Sequence, residues 1–153
     1  MDAGLVGNLV VVCRVGRRLC GLPVSDVVET MRPLPVQPVA GAPKFVSGVS
    51  IIRGNPVPVV DAAALLADDT STAPTRFVTL AVKGRQVALA VDEVTGVRAL
   101  TSFAELPPLL NDAGKEAITA MGRLDADLLT LLQGTRLVPD AVWSVIEAKG
   151  APE

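Results

Sequence analysis

The stretch Pro43-Lys44-Phe45-Val46-Ser47-Gly48-Val49-Ser50-Ile51-Ile52-Arg53-Gly54-Asn55-Pro56-Val57-Pro58-Val59-Val60-Asp61 decides the fold class. Two apolar segments, Val46–Ile52 and Val57–Val60, flank a short group of turn-formers. Gly54-Asn55 reads as a hairpin dipeptide, because glycine accepts a positive φ without steric cost and asparagine tolerates it. Pro56 and Pro58 alternate with Val57 and Val59 and lack an amide donor. Their strand is therefore expected at a sheet edge, or with those nitrogens turned away from the ladder. Asp61 opens Ala62–Ala67, a short helix that its carboxylate can cap. Arg53 is the only cation at the hairpin tip, with no acidic residue within seven positions. Its partner must come from a distant segment or another protein; failing both, it is a solvated arginine beside a turn.

Working outward, the chain reads as strands joined by short turns. Leu9–Val15 alternates, with Val11, Cys13 and Val15 on one face and Val10, Val12 and Arg14 on the other. Gly16-Arg17 forms a turn, and a return strand from Arg18 to Val24 sets Cys13 opposite Cys20 on the inward face. A further strand is expected near Val27–Arg32. The prolines of Pro33-Leu34-Pro35-Val36-Gln37-Pro38 make that segment an extended connector and exclude a helix. Asp68-Asp69-Thr70-Ser71-Thr72-Ala73-Pro74 is polar and turn-rich, and an internal boundary is expected near 68–75.

The second half repeats the first. Phe77–Val82, a turn at Lys83-Gly84-Arg85, and Gln86–Val91 form another hairpin, and Leu89–Val94 superimposes on Leu22–Val27. Met121–Leu132 follows the apolar spacing of Val49–Val60, at a slightly larger offset because the intervening connector is longer in the second copy. Two similar β-units packed together fit this better than a solenoid, which needs three or more repeats. The longer connector carries Ser102-Phe103-Ala104-Glu105, whose Ser-x-x-Glu spacing is that of a capping box, so a helical turn or two is expected within Ser102–Glu116. Pro139-Asp140 leads into a C-terminal helix, Ala141–Lys149, with Val142, Val145 and Ile146 on one stripe. That helix either lies against the β-units or offers an exposed amphipathic face.

Composition narrows the function classes. The 153 residues are half hydrophobic, and the excess is in valine, leucine and alanine, which favours a mainly β chain with an ample core. Fourteen basic and sixteen acidic residues give a net charge of −2, and neither sign forms a long run. Nucleic-acid binding is not expected, because it needs a concentrated basic face. The four aromatics, Phe45, Phe77, Phe103 and Trp143, are too scattered for a base-stacking platform. No apolar run approaches the ~18 residues of a membrane span. The first residues lack the positive n-region of a secretory leader, so a cytoplasmic protein is expected, with no membrane insertion. Cys13 and Cys20 then read as paired buried thiols; a regulatory disulfide is the alternative. With no histidine in the chain they cannot complete a zinc site, and no cofactor or metal is expected. The absence of histidine also removes the commonest general base and every Ser-His-Asp or Cys-His arrangement. Asp92-Glu93 and Asp68-Asp69 are adjacent pairs that strand geometry sends to opposite faces, and no phosphate-binding glycine motif occurs. No catalytic residues are assigned, and an enzyme is not expected.

Gly48-Val49-x-x-Ile52-Arg53-Gly54-x-x-Val57-Pro58-Val59-Val60-Asp61 resembles the signature of the CheW-like chemotaxis coupling adaptors, G-V-x-N-L-R-G-x-x-V-P-V-V-D-L. Pro43-x-Phe45-Val46-x-Gly48 resembles the same family. Ile51 stands where that family usually has asparagine, and Ala62 where it has leucine. Gly21-Leu22-Pro23-Val24-x-x-Val27-x-Glu29 is similar to its first-unit segment and Leu89-Ala90-Val91-Asp92-x-Val94 to its second. Leu124–Leu132 is like L-D-G-x-L-V-L-L-L, with Ala126 for glycine and Gln133 following in place of an acidic residue. The resemblance covers about residues 8 to 147. It implies a single CheW-like domain over 8–150, built of two intertwined SH3-like five-stranded barrels on a shared core, with short helices and a C-terminal helix. It implies a non-enzymatic adaptor that couples chemoreceptors to a histidine kinase. The expected partners are the kinase regulatory domain and the receptor cytoplasmic tip, with other CheW-like adaptors as a further class. The alternatives are an adaptor of another array, such as one for surface motility, and a small-ligand or enzymatic module reusing the double barrel. The positions that match the family's binding surface are Val27, Glu29, Gly48, Arg53, Gly54, Ala88 and Val91. Glu29, placed by the resemblance on the same barrel, is the internal partner expected for Arg53.

Overall fold

Strand β1 (Leu9–Val15) returns through Gly16-Arg17 as β2 (Arg18–Pro23), with Cys13 directly opposite Cys20. The computed structural model describes residues 9–66, 73–99, 102–105, 118–124, 127–132, 138–140, 142–144 and 146. After a 3-10 turn at Val24–Asp26, β3 (Val27–Met31), β4 (Val46–Ile52) and β5 (Asn55–Asp61) lead to helix α1 (Ala62–Leu66). The Asp61 carboxylate accepts the Ala63 N–H at 3.0 Å and so caps α1. Then follow β6 (Arg76–Val82), β7 (Arg85–Val91), β8 (Glu93–Ala99), β9 (Ser102–Glu105), β10 (Ile118–Leu124) and β11 (Asp127–Leu132). In the C-terminal segment, residues 140, 142–144 and 146 are helical.

The strands form two sheets, ordered β8-β1-β2-β11-β10-β9 and β3-β6-β7-β5-β4. Their registers reproduce the repeat seen in the sequence. Val11 faces Leu22, and their counterparts Val78 and Leu89 face each other in the second hairpin. Ser50 faces Val57, and their counterparts Gly122 and Leu129 are likewise opposite. The strand after each hairpin does not stay with it. Val27 of β3 pairs with Leu80 of the second hairpin, and its counterpart Val94 of β8 pairs with Cys13 of the first. Each repeat thus completes the other's sheet. The polar stretch near 68–75 therefore does not separate the sheets, because the five-stranded one takes β3 to β5 from before it and β6 and β7 from after it.

A polar cluster ties one crossover down. The Asp92 carboxylate accepts the Gly16 N–H at 2.8 Å, and the Asp92 N–H donates to the Arg14 carbonyl at 3.0 Å. Thr75 donates its hydroxyl to the Asp92 carbonyl, and Glu93 pairs with Arg14. The adjacent carboxylates at 92 and 93 thus do separate structural work.

Alternation sorts the apolar side chains. Val78, Leu80, Val87, Leu89 and Val91 join Val11, Cys13, Val15, Cys20 and Leu22 in one cluster that spans both sheets. Val142, Trp143 and Ile146 pack into the same cluster, so the described part of the C-terminal helix is docked rather than exposed. Phe77, Ala88 and Ala90 face the other way, into a second cluster with Ile52, Val57 and Val59. Leu22, Leu80 and Leu89 are fully buried, each contributing about 1.5–3 kcal/mol by removal from water.

Two local expectations are corrected, and a third is decided between its two alternatives. The β4–β5 turn is Arg53-Gly54, at φ 52° and 83°, with Ile52 facing Asn55, one residue earlier than the Gly54-Asn55 dipeptide suggests. Two positive φ values give the turn whose twist suits a two-residue hairpin. Ser102–Glu105 is not a capped helical turn; it is strand β9, paired with β10 through Ala104 and Met121. The rest of that expected helix, 106–116, lies outside the described residues. The first repeat explains the difference. There Gln37, the counterpart of Ala104, bridges Val49, the counterpart of Met121, through two backbone hydrogen bonds of 2.8 Å. Pro35 and Pro38, donorless where β9 has Ser102 and Glu105, limit that contact to one bridge. Finally, β5 is not at an edge of the sheet order, but it pairs with β7 only from Val59 onward. Pro56 and Pro58 occupy the non-hydrogen-bonded pairs with β4, so their nitrogens face that unpaired flank. A cleft of about 490 Å³ opens there beside Pro56 and Arg85, under Trp143 and Ile146.

The connector lies directly on Gly48, whose φ is 149°; a Cβ added there would stand 2.1 Å from the Gln37 carbonyl oxygen. Gly48→Ala should therefore strip the connector from β4, costing about 2–3 kcal/mol from two lost hydrogen bonds and strain. In thermal unfolding this is a fall in Tm of about 4–12 °C. Gly54→Ala meets nothing within 4 Å and should cost only about 1 kcal/mol, for its positive φ. Equal losses in the two variants would contradict the role given to Gln37.

Cys13 and Cys20 are free, wholly buried thiols. The hydrogen bond to Cys13, reinforced by burial, holds the Cys20 thiol well above its ordinary pKa. Both should resist iodoacetamide at pH 8 in the native protein and react once it is unfolded in guanidinium; rapid native labelling would contradict this packing.

Candidate protein-interaction surface

The β4–β5 turn places Arg53 against β3. Its Nε donates to Glu29 Oε2 at 2.7 Å and its Nη2 to Oε1 at 2.6 Å, a bidentate fork. Strands β3 and β4 are the two ends of the five-stranded sheet, so this pair joins one edge to the other. The backbone beneath Glu29 is held as well: buried Thr79 donates its hydroxyl to the Glu29 carbonyl at 3.2 Å. The Arg53 side chain remains 73% exposed and that of Glu29 26%, so the pair is a surface feature.

Between Val27 and Glu29 the register with β6 slips by one residue. Val28 is the extra residue of this bulge, a device that re-aims a side chain. It is 48% exposed, and Ile51, two residues before Arg53, is 64% exposed. The surface therefore carries a neutralised ion pair beside two large apolar side chains.

The second repeat provides an internal control. The same bulge recurs in β8, where Thr95 takes the place of Val28 and Gly96 that of Glu29. Thr95 donates its hydroxyl to the Val12 carbonyl at 3.1 Å, turning the extra residue back onto its own sheet. In sequence, Arg123 corresponds to Ile51 and Asp125 to Arg53. The fold repeats with neither the ion pair's residues nor the apolar ones, so folding this architecture does not require them.

The seven positions expected from the sequence are not all at this surface. Glu29, Arg53 and the exposed Gly54 come together there, with half-buried Val27 beside them on β3, packed against the shared core. Gly48 is buried beneath Gln37. Ala88 and Val91 are wholly buried on opposite faces of β7 and offer no surface to a partner. Sequence reasoning misses the exposure of Val28 and does not single out Ile51. Strand alternation opposite buried Ile52 points Ile51 outward, but the bulge that exposes Val28 leaves no sequence signal. Among the described residues, no three His, Cys, Asp or Glu side chains converge on a metal site, and no helix is long and apolar enough to cross a membrane.

The described residues thus form two β-sheets that exchange strands, with a bidentate ion pair on the exterior of one. The CheW-like domain family matches residues 9–142, and the chain belongs to that family, a class of signalling adaptors. It is 31% identical over 135 residues to Protein FrzA of Myxococcus xanthus, covering 84% of this chain and 83% of that protein. Its fold is similar to the crystal structure of the scaffolding protein TtCheW from Thermoanaerobacter tengcongensis, with a TM-score of 0.70 at 21% identity, over 83% of this chain and 89% of that one.

Hydrogen bonding to Arg53, followed by its charge, holds the Glu29 carboxyl below its ordinary value of 4.5. A depressed folded-state pKa contributes stability that is present above the ordinary value and lost as pH falls through the lowered one. The parent should thus be slightly more stable than Glu29→Gln at neutral pH, with the gap closing as the pH falls below the ordinary value of 4.5. The gap stays small because both groups are at the surface. Urea melts from pH 7 to 3 measure it, and a gap that widens on acidification would contradict the pairing.

Proposed function

We propose that the chain is a non-enzymatic adaptor coupling a chemoreceptor's cytoplasmic tip to the regulatory domain of a histidine kinase in a cytoplasmic array. The surface of Val27, Val28, Glu29, Ile51, Arg53 and Gly54 makes one of the contacts. The observation that carries this reading is the ion pair flanked by exposed Val28 and Ile51, present in one repeat and replaced in the other. Membership of the CheW-like family supports the adaptor role. Adaptor action needs no chemistry at the surface, only shape and complementary groups that are rigid before binding. The five-stranded sheet provides that rigidity: Glu29 is held on β3 by its pairing with Thr79 of β6, and Arg53 is in the two-residue turn closed by the Ile52–Asn55 pair.

Arg53→Ala should melt close to the parent, because an exposed pair contributes little to folding, yet lose about tenfold or more in affinity for the kinase regulatory domain or the receptor tip. Calorimetric titration with each recombinant fragment measures this. Normal binding of both fragments, or loss of binding that only tracks unfolding, would remove this surface from the adaptor's contacts.

A further inference from the structure

The Arg53 guanidinium has five N–H donors in one plane. Glu29 takes those along the Nε–Nη2 edge, one from each nitrogen. Three donors remain: one on Nη2 and one on Nη1 are directed past the end of the side chain, and the second on Nη1 points to the side away from Glu29. That end is on the outside of the molecule, with the side chain 73% exposed. The charge, unlike the donors, is already matched. A partner carboxylate on the free edge would place two anions around one cation and give up its own hydration for little Coulomb return. A backbone carbonyl carries only a partial charge and can accept a bare N–H without that conflict. The last turn of a helix leaves four such carbonyls unpaired, with a collective partial negative charge of about half a unit.

We propose that Arg53 receives uncharged backbone carbonyls of its partner, such as those of a helix C-terminus, with apolar side chains alongside that seat against Val28 and Ile51. Glu29 is then a positioning residue: it holds the fork so that its free edge faces outward. This inference rests on the reading of this surface as an adaptor contact, and it specifies which groups of the partner that contact takes.

The test is calorimetric titration of the parent, Glu29→Gln, Arg53→Ala and Arg53→Lys with the recombinant kinase regulatory domain and with a receptor-tip fragment, at 50 and 500 mM NaCl. Thermal melts check that each variant is folded. For the fragment that contacts this surface, Arg53→Ala should weaken binding about tenfold, by the same factor within about twofold at both salt concentrations, because an acceptor with only a partial charge is screened far less than a carboxylate. Glu29→Gln should weaken binding by about three- to tenfold, since the guanidinium is no longer held. Arg53→Lys, which keeps the charge without the planar fork, should recover little of the loss. A partner carboxylate gives the opposite pattern and overturns the proposal: Glu29→Gln binds more tightly than the parent, the Arg53→Ala defect shrinks in 500 mM salt, and lysine restores binding. If Arg53→Ala binds both fragments like the parent, the surface reading itself fails and this proposal with it. A tenfold, salt-insensitive Arg53→Ala defect combined with full binding by Glu29→Gln keeps the surface and overturns the positioning role.

Discussion

Everything in this structure depends on the exchange of third strands between the two repeats. A two-stranded hairpin cannot bury both faces of its own side chains. Here β1–β2 gains β8 and β6–β7 gains β3, each from the other repeat, and the apolar faces meet in one cluster that draws on both sheets. Because the exchange is reciprocal, the wholly buried Leu22 of one hairpin and Leu89 of the other belong to a single core. The hydrogen bonds around Asp92 fasten one crossover, joining the turn of the first hairpin to the strand that leaves the second.

That arrangement leaves the outward features of each repeat free to diverge. The shared ones, the two bulges and the positive φ at Gly16 and at its counterpart Lys83, follow from the backbone path. The unshared ones are Val28 against Thr95, Glu29 against Gly96, Ile51 against Arg123 and Arg53 against Asp125. Two copies of one backbone in one chain thus separate what the architecture demands from what one face adds. The face that differs is the one with a fork of donors and exposed aliphatic side chains.

Much of the fold was legible because its cause is local. Alternation located both hairpins, and the sequence repeat reappears residue for residue in the strand registers. The isolation of Arg53 from nearby acids correctly called for a distant partner, and Glu29 is that partner. What could not be read depends on tertiary contact. Gly54-Asn55 and Arg53-Gly54 are both plausible turn dipeptides, and the pairing of Ile52 with Asn55 chooses between them. Ser102-x-x-Glu105 carries a helix-start spacing, but the free edge of β10 takes those residues as a strand. The bulge at Val28, and the burial of Ala88 and Val91 on the two faces of β7, follow from which sheet each strand joins, and no local pattern encodes that choice.

The parallel pairing of β2 with β11 has a consequence for synthesis. Thr130, near the end of the chain, lies beside Cys20, near its beginning. As the chain emerges from the ribosome, the first hairpin is complete long before its neighbours on either flank exist. Val11, Cys13 and Leu22 must wait in water, or in transient contacts, until β8 and then β11 arrive. Long-range closure of this kind slows folding, and strand edges left open in the interval invite pairing with other chains. The nascent protein is thus most exposed to self-association while its second half is still being made.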